Sequence, residues 1–423
     1  MSNTIPPSEQ VRQQLQAFLR EGIQTSKQPS SELLRLAAQV IMQELLEQEV
    51  TDFLGRERYE RRADGEHGYR NGYEPGHIRS VEGEIEVRVP QVRASEQPYR
   101  SKLMDFLRGN SDVLEYLVVQ MYTRGLSTRD VEEALRDPVT GETLLSKSAV
   151  SDLTDRLWED YVAFCQRDLS GFQVEYVFMD GLYEGMRLHK SRKEAILVAW
   201  GVCRDGRKVL LHLALGNKES ETACTAFVRD MVRRGLPVPT LVTTDGAPAL
   251  IAAVDAIWPH SLRQRCLVHK VRNVLDKVPE GIKAEIKQAL WSVYDAPTHA
   301  VADWLAAQFI KHYGGQYPSA VACFQDDLVA CLNHLDCPAG HRKRIRTTNL
   351  LERAFLEVRR RTRTIPRFFD ERGCLKLIFA TLMEASDRWQ RIRFSDLDRA
   401  QLDQLRQRLG IEEASPAVSP VAT

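Results

Sequence analysis

The chain has no net charge to offer: its 423 residues carry 58 Lys and Arg against 58 Asp and Glu. Binding to nucleic acid through bulk charge alone is therefore disfavoured. Long apolar runs are missing as well. The longest, "AILVAWGVC" at 195–203, is far too short to span a bilayer and reads as a strand. The opening "MSNTIPPSEQVRQQ" lacks the apolar stretch of a secretory signal, so the cytoplasm is the expected compartment. Cysteines number only eight and follow no regular framework, which excludes a disulfide scaffold and fits reduced thiols. What remains is the composition of ordinary globular protein, 43% hydrophobic and 27% charged, long enough for two to four domains.

Neutrality in sum hides a local excess. Between Arg342 and Arg372 basic residues outnumber acidic ones by about seven. Arg342, Lys343, Arg344, Arg346, Arg353, Arg360, Arg361, Arg363 and Arg367 make this stretch a candidate surface for a polyanion.

Along the chain, residues 1–30 are polar and are expected to be a flexible N-terminus. Within 31–111, "SELLRLAAQVIMQELLEQEVTDFLG" has helical spacing, and Gly-rich turns then lead to alternation at Ile85, Val87 and Val89, a small β-hairpin. Residues 112–170 return to helix. There "STRDVEEALRD" and "LSKSAVSDLTDRLWEDYVAF" flank the turn "PVTGET", the outline of a helix-turn-helix. Its second helix would begin at Ser146 and present Ser146, Lys147 and Ser148 to DNA; a plain pair of packed helices is the competing reading. Over 171–278, three strands with tight turns and then helix–strand–helix–strand give an α/β mixed sheet flanked by helices. Residues 279–341 read as an all-helical insertion. A final helical region at 342–395 and a C-terminal helix with a disordered tail at 396–423 complete the chain.

Two of the strands end alike, in Met179-Asp180-Gly181 and Thr244-Asp245-Gly246. Asp-Gly is first a turn signal. Here, however, the chain stays strand-like after Asp180 and enters a helix after Asp245. Side by side, both carboxylates would emerge near one end of the sheet, where open sheets bind ligands. Two glutamates follow in the basic stretch. At helical spacing Glu357 has Arg353, Arg360 and Arg361, the surroundings of a solvated ion pair. Glu352 has Thr348, Asn349, Phe355 and Leu356, and no cation. A carboxylate on such a face needs a compensating charge, which a divalent ion shared with two aspartates would supply. Three converging carboxylates suit Mg²⁺ or Mn²⁺, with two ions expected, and phosphoryl chemistry. Arg359, two turns on, shares Glu352's face and is positioned to meet a phosphate.

These stretches resemble the mutator-type family of bacterial insertion-sequence transposases, over about residues 33–395. "IRTTNLLERAFLEVRRRTRTIPRF" is similar to the segment around that family's catalytic glutamate; "FMDGLY" and "TTDGAPAL" are similar to its two aspartate segments, and "QRCLVHKVRN" to its Cys-x-x-His motif. "FLGRERYERR", "GYRNGY" and "GEIEVRVPQVR" resemble its N-terminal region. The resemblance implies a ribonuclease H-like catalytic domain interrupted by an all-helical insertion. It implies a catalytic, metal-binding triad of Asp180, Asp245 and Glu352, with Cys266, His269, Asn349 and Arg359 in support. The implied reaction is cleavage at the element's terminal inverted repeats followed by strand transfer into target DNA. The implied partner is double-stranded DNA, bound by a homodimer or higher oligomer because two ends must be joined, and association with the nucleoid follows. A nuclease of the same fold without strand transfer, and a non-catalytic DNA-binding relic, are the alternatives.

Two further patterns carry less. Cys266-x-x-His269 is one pair and cannot close a four-ligand zinc site. Cys331, His334, Cys337 and His341 have the numbers for zinc, but the first three share the spacing of one helix face, and a continuous helix cannot wrap an ion. Trp291 and Trp304 are expected in the core of the helical insertion.

Overall fold

Polar as it is, the N-terminus contains a helix. The computed structural model describes residues 5–60, 67–107, 109–136, 142–185, 193–216, 220–363, 365, 368, 370–387, 389 and 391–411. The expected flexible segment is corrected over 7–25: α1 (Pro7–Ala17) runs through a π-helical stretch into α2 (Ile23–Thr25). Val11 and Phe18 are buried, and Glu47 of α3 (Pro29–Leu54) accepts from the N–H and hydroxyl of Ser8 in the first turn of α1. Two apolar anchors and one carboxylate at an orphan helix N–H are enough to fix a sequence whose composition reads as loose.

The chain divides into two units, Met1–Arg156 and Leu157–Thr423. In the first, β1 (Tyr69–Ser80) and β2 (Gly83–Arg93) form an antiparallel hairpin. Ile78, Ile85 and Val87 bury one face of it with Leu46 of α3. Gln43 of α3, fully buried, donates to Arg88 O and accepts from Arg88 N, so a side-chain amide continues the ladder at the edge of β2. Helix α4 (Lys102–Leu107) and the short β3 (Gly109–Asn110) lead to α5 (Asp112–Thr123), α6 (Thr128–Ala134) and α7 (Lys147–Gln166). These last three pack around Leu114, Val118, Val131, Leu145 and Val150. Helix α7 starts one residue after the expected Ser146. The connection from α6, though, occupies 135–146, much longer than the three or four residues of a tight helix-turn-helix; its residues 137–141 lie outside those described.

The second unit is built on five strands. In β4 (Val174–Gly185), β5 (Lys193–Cys203) and β6 (Lys208–Leu215) neighbours are antiparallel; β7 (Leu241–Thr244) and β8 (Leu262–Arg265) run parallel to β4, in the order β6-β5-β4-β7-β8. This is the mixed sheet that the spacing predicts. Helices α8 (Glu221–Arg233) and α9 (Pro248–Ile257) cover one face, packing Phe227, Met231, Leu250 and Val254 on Val177, Met179 and Leu197. Helix α10 (Leu267–Leu275) then opens a separate helical core with α11 (Lys283–Tyr294), α12 (His299–Tyr313), α13 (Pro318–Gln325) and α14 (Leu328–Leu332). That core begins earlier than residue 279, since Leu267, Val271 and Val274 belong to it. Helices α15 (Ala339–Ile345), α16 (Asn349–Thr362), α17 (Glu371–Asp387) and α18 (Asp396–Leu409) return to the sheet unit. Among the described residues no helix is long and apolar enough to cross a membrane.

One expectation about the insertion is corrected. Trp291 packs partly against its core, whereas Trp304 is 62% exposed and outside it.

Candidate active site

Strand register brings the two aspartates together. Phe178 pairs with Thr243 and Met179 with Thr244, so Asp180 and Asp245 are the next residues on adjacent parallel strands. Side chains alternate along β4, with Val177 and Met179 in the core under α8 and α9. Asp180 therefore projects from the opposite face. It is only 6% exposed, and its Oδ1 accepts from the Gly181 N–H at 2.7 Å. Asp245 lies just past β7, where its Oδ1 accepts from Ala247 N at 3.0 Å and so turns the chain into α9. Gly246 makes that turn with φ +89°; a Cβ there would sit 1.8 Å from the Arg265 guanidinium carbon. The positive φ favours glycine, and any side chain would also have to displace that guanidinium.

Glu352 arrives on the first turn of α16, and the segment before that helix is laced to the strand ends. The Thr243 hydroxyl donates to Ile345 O at 2.5 Å, Leu267 N donates to Arg346 O at 3.0 Å, and Thr348 donates through both N and Oγ1 to Cys266 Sγ at 3.3 Å. At the far end of α16 the Thr362 hydroxyl donates to Glu184 Oε1 on β4 at 3.1 Å. Glu352 is thus held by its helix against both the β7–α9 and β8–α10 junctions.

His269, on the first turn of α10, is the common neighbour of all three carboxylates. Its Nε2 is 3.6 Å from Glu352 Oε1. Its pKa is raised, most of all by the Cys266 sulfur beside it, against the opposing effect of burial, and further by the charges of Asp180 and Asp245. Burial works to raise Cys266, but His269 and the Thr348 donors outweigh it and the thiol's pKa is lowered. Among the described residues no three His, Cys, Asp or Glu side chains stand close enough to hold a metal ion as they are.

The second cysteine–histidine cluster is not one continuous helix. Helix α14 ends at Leu332, a 3₁₀ turn covers Asn333–Asp336, and α15 begins at Ala339. Both ring nitrogens of His334 face carbonyls, of Cys331 at 3.1 Å and Tyr294 at 3.0 Å. His341 meets the Tyr176 hydroxyl and Arg393 O. These histidines are occupied as internal hydrogen-bonding groups.

Comparison with known proteins shows the family of the chain. The family model described as "Transposase, Mutator family" matches residues 9–392. The chain belongs to the Mutator family of transposases. It is 31% identical over 367 residues to the transposase of insertion sequence element ISRM5 from Rhizobium meliloti, covering 86% of this chain and 91% of that one. Against the IS406 transposase of Burkholderia multivorans identity is 32%, over 84% and 90% of the two chains. The transposase of IS256 in transposon Tn4001 from Staphylococcus aureus is 27% identical over 82% and 89%.

The basic stretch of this transposase sorts into inward and outward groups. Arg342 donates to the carbonyls of Pro297, Leu335 and Cys337, and Arg346 to Tyr294 O and Asp295, with its guanidinium 5.0 Å over the Trp291 ring. These two tie the helical insertion to α15, a correction to their reading as DNA contacts. Arg360 and Arg361 pair with Glu357 at 2.6 and 2.8 Å. Lys343, Arg344, Arg353, Arg359 and Arg363 are exposed, as is Asn349 at the start of α16. Arg367 lies outside the described residues. In the first unit Ser146, Lys147 and Ser148 are exposed at the start of α7. Three supporting residues escape sequence reasoning: Thr243, Thr348 and Arg265. The hydroxyls are visible in "TTDG" and "TTN", but which carbonyl or sulfur they reach is settled only by the fold.

Proposed function

We propose that this transposase is of the D-D-E class, with Asp180, Asp245 and Glu352 as its catalytic triad in a ribonuclease H-like domain. The single observation carrying the reading is that Asp180 and Asp245 leave adjacent parallel strands at one register level while His269 links them to Glu352. The strand order, three antiparallel strands followed by two parallel to the first, supports the fold assignment.

A donor set of three carboxylates fits a hard divalent cation, Mg²⁺ or Mn²⁺, and not zinc. Asp180, Asp245 and Glu352 would hold it, two ions being expected. Such ions, when bound, supply activation of the attacking oxygen and stabilisation of the leaving one. The rest falls to the chain. Burial of Asp180 excludes water from one side of the site, so charge placed there acts strongly. His269 balances the acids before metal arrives. The Thr348–Cys266 contact fixes the start of α16 and hence the reach of Glu352. Arg359, exposed two turns along, is available to a phosphate. The reaction is cleavage at the ends of an insertion sequence and strand transfer into target DNA, carried out by at least a dimer in the cytoplasm, since two ends must be joined.

The test is cleavage of a labelled duplex carrying the element's own end, with Mg²⁺ or chelator, by wild type and Glu352→Gln. Metal-dependent cutting lost in the variant, with end binding retained, is expected. Cutting that survives in Glu352→Gln would remove the glutamate from the mechanism. A pre-cut end then separates a transposase from a nuclease, which would not join it to target.

A further inference from the structure

Lys208 opens β6, far in sequence from the basic stretch. It pairs with Val202, which pairs with Tyr176, while Asp180 pairs with Val198. Counting along these registers puts Lys208 on the same sheet face as Asp180, because side chains alternate. Its ammonium lies 5.9 Å from the ring centre of Trp389, whose ring makes a tilted contact with Trp200 of β5 at 4.3 Å between centres. Two further cations act on it. The two helices that carry them, α15 for Arg344 and α16 for Arg353, lie on this sheet unit: His341 of α15, three residues before Arg344, meets the hydroxyl of Tyr176 in Lys208's register row, and α16 is tied to β4 by the Thr362–Glu184 hydrogen bond. Lys208 is half-buried, and burial together with the charges of Arg344 and Arg353 lowers its pKa. Among the described residues none of the three has an acidic partner. Their neighbours Arg360 and Arg361 do, in Glu357. In a chain with as many acids as bases, three cations gathered from a strand and two helices without a counter-charge raise the free energy of the unliganded fold. An anion would lower it.

We propose that Lys208, Arg344 and Arg353 form a phosphodiester-binding cluster that grips a DNA backbone on the sheet face bearing the candidate active site. This rests on the chain acting on DNA, not on the carboxylates doing the chemistry. The two guanidinium groups offer forked donors to phosphate oxygens, and the ammonium a point charge. The Trp389 ring face attracts that ammonium without neutralising its charge, and the N–H groups turned away from the ring remain available to a phosphate oxygen. Arg353 shares α16 with Glu352, so the cluster and the candidate acids are carried by one helix. Lys208 is invisible to a search for basic runs, since it is assembled into the patch by sheet register alone.

The experiment is binding of a labelled duplex of arbitrary sequence, in chelator, as salt is raised. Releasing one phosphate from the protein's grip lowers the slope of log affinity against log salt by about one. Lys208→Ala and Arg344→Ala are each expected to show that decrease, the double variant about twice it, and Lys208→Arg the wild-type slope. Arg344 is exposed on its helix, so its variant keeps the test open if Lys208→Ala folds poorly. Wild-type slopes in both single variants, or equal competition by polyglutamate and duplex at matched charge, overturn the proposal. The D-D-E reading is scored separately, by cleavage in Mg²⁺: if Glu352→Gln keeps cleavage while the Lys208 and Arg344 variants lower the slope, that reading fails and this cluster stands; cleavage lost with unchanged slopes in those variants is the converse.

Discussion

The second unit contains the same short pattern twice, Cys266-x-x-His269 and Cys331-x-x-His334, in opposite physical states. In the first, the Cys266 sulfur and, behind it, the charges of Asp180 and Asp245 raise the histidine against burial, and the thiol is lowered. In the second, burial pushes His334 down to about 4 and Cys331 up to about 12. Both pairs are largely shielded from water, so burial alone does not separate them. The difference is that α10 points its first turn at three acids, while the 3₁₀ turn after α14 points His334 at two backbone carbonyls. Spacing identifies candidates; only the charges that tertiary structure brings in decide which pair is electrostatically engaged.

The largest expected effect tests that engagement. Glu352→Gln should reduce metal-dependent cleavage on the order of a thousandfold or more, the scale of removing a member of a unit that acts together. In the same variant the His269 proton titration, followed by NMR, should move down, and that of His334 should not change. A His269 that ignores the substitution would mean the two pairs differ for some other reason than the acids.

The second pair predicts a pH effect. His334 titrates near 4 in the folded chain against about 6.5 unfolded. With the folded pKa depressed, its stabilising contribution is present above about pH 6.5 and is lost as pH falls toward 4, roughly 2 kcal/mol by pH 5. Urea unfolding at pH 7.5 and pH 5 should show a loss that His334→Gln diminishes. An acid dependence identical in the variant would show that the ring titrates as in solution. A smaller effect belongs to the first pair's support. Thr348→Val removes the hydroxyl on Cys266 and should lower the cleavage rate about tenfold with DNA affinity unchanged, because a small misplacement of a catalytic group is costly. Thr348→Ser should restore it.

Much of this arrangement can be anticipated from local pattern. Apolar runs mark β4, β5 and β6, and the i±3 and i±4 neighbours of Glu357 foretell its pairing with Arg360 and Arg361, since helical geometry alone brings them together. What local pattern lacks is anything nonlocal. The absence of a cation around Glu352 is readable, but its actual neighbour, His269, comes from another helix. Arg342 and Arg346 look like DNA contacts in a basic run, and only the fold reveals the carbonyls that take their donors. Helix α1 escapes local pattern for the same reason, as its stability lies in Val11, Phe18 and a Glu47 contributed by α3.

The smallest expected effect sharpens the contrast within α16. Glu357 lies five residues after Glu352 on the same helix, within the basic run, and pairs with the exposed Arg360 and the largely buried Arg361. Removing its charge by Glu357→Gln breaks two surface pairs, each worth well under about 1 kcal/mol after solvent screening. Cleavage should stay within about a factor of two of wild type, and the melting temperature should fall by only a few degrees at most. Arg361 keeps Glu384 at 3.4 Å, but Arg360 loses Glu357 and is left as a cation beside the candidate DNA surface, so affinity for a nonspecific duplex should rise at low salt and converge with wild type at high salt. If Glu357→Gln instead abolished cleavage with binding intact, the division of α16 into an engaged and a solvated glutamate would be wrong. Glu357 would then be the acid that matters, however well its arginines account for it.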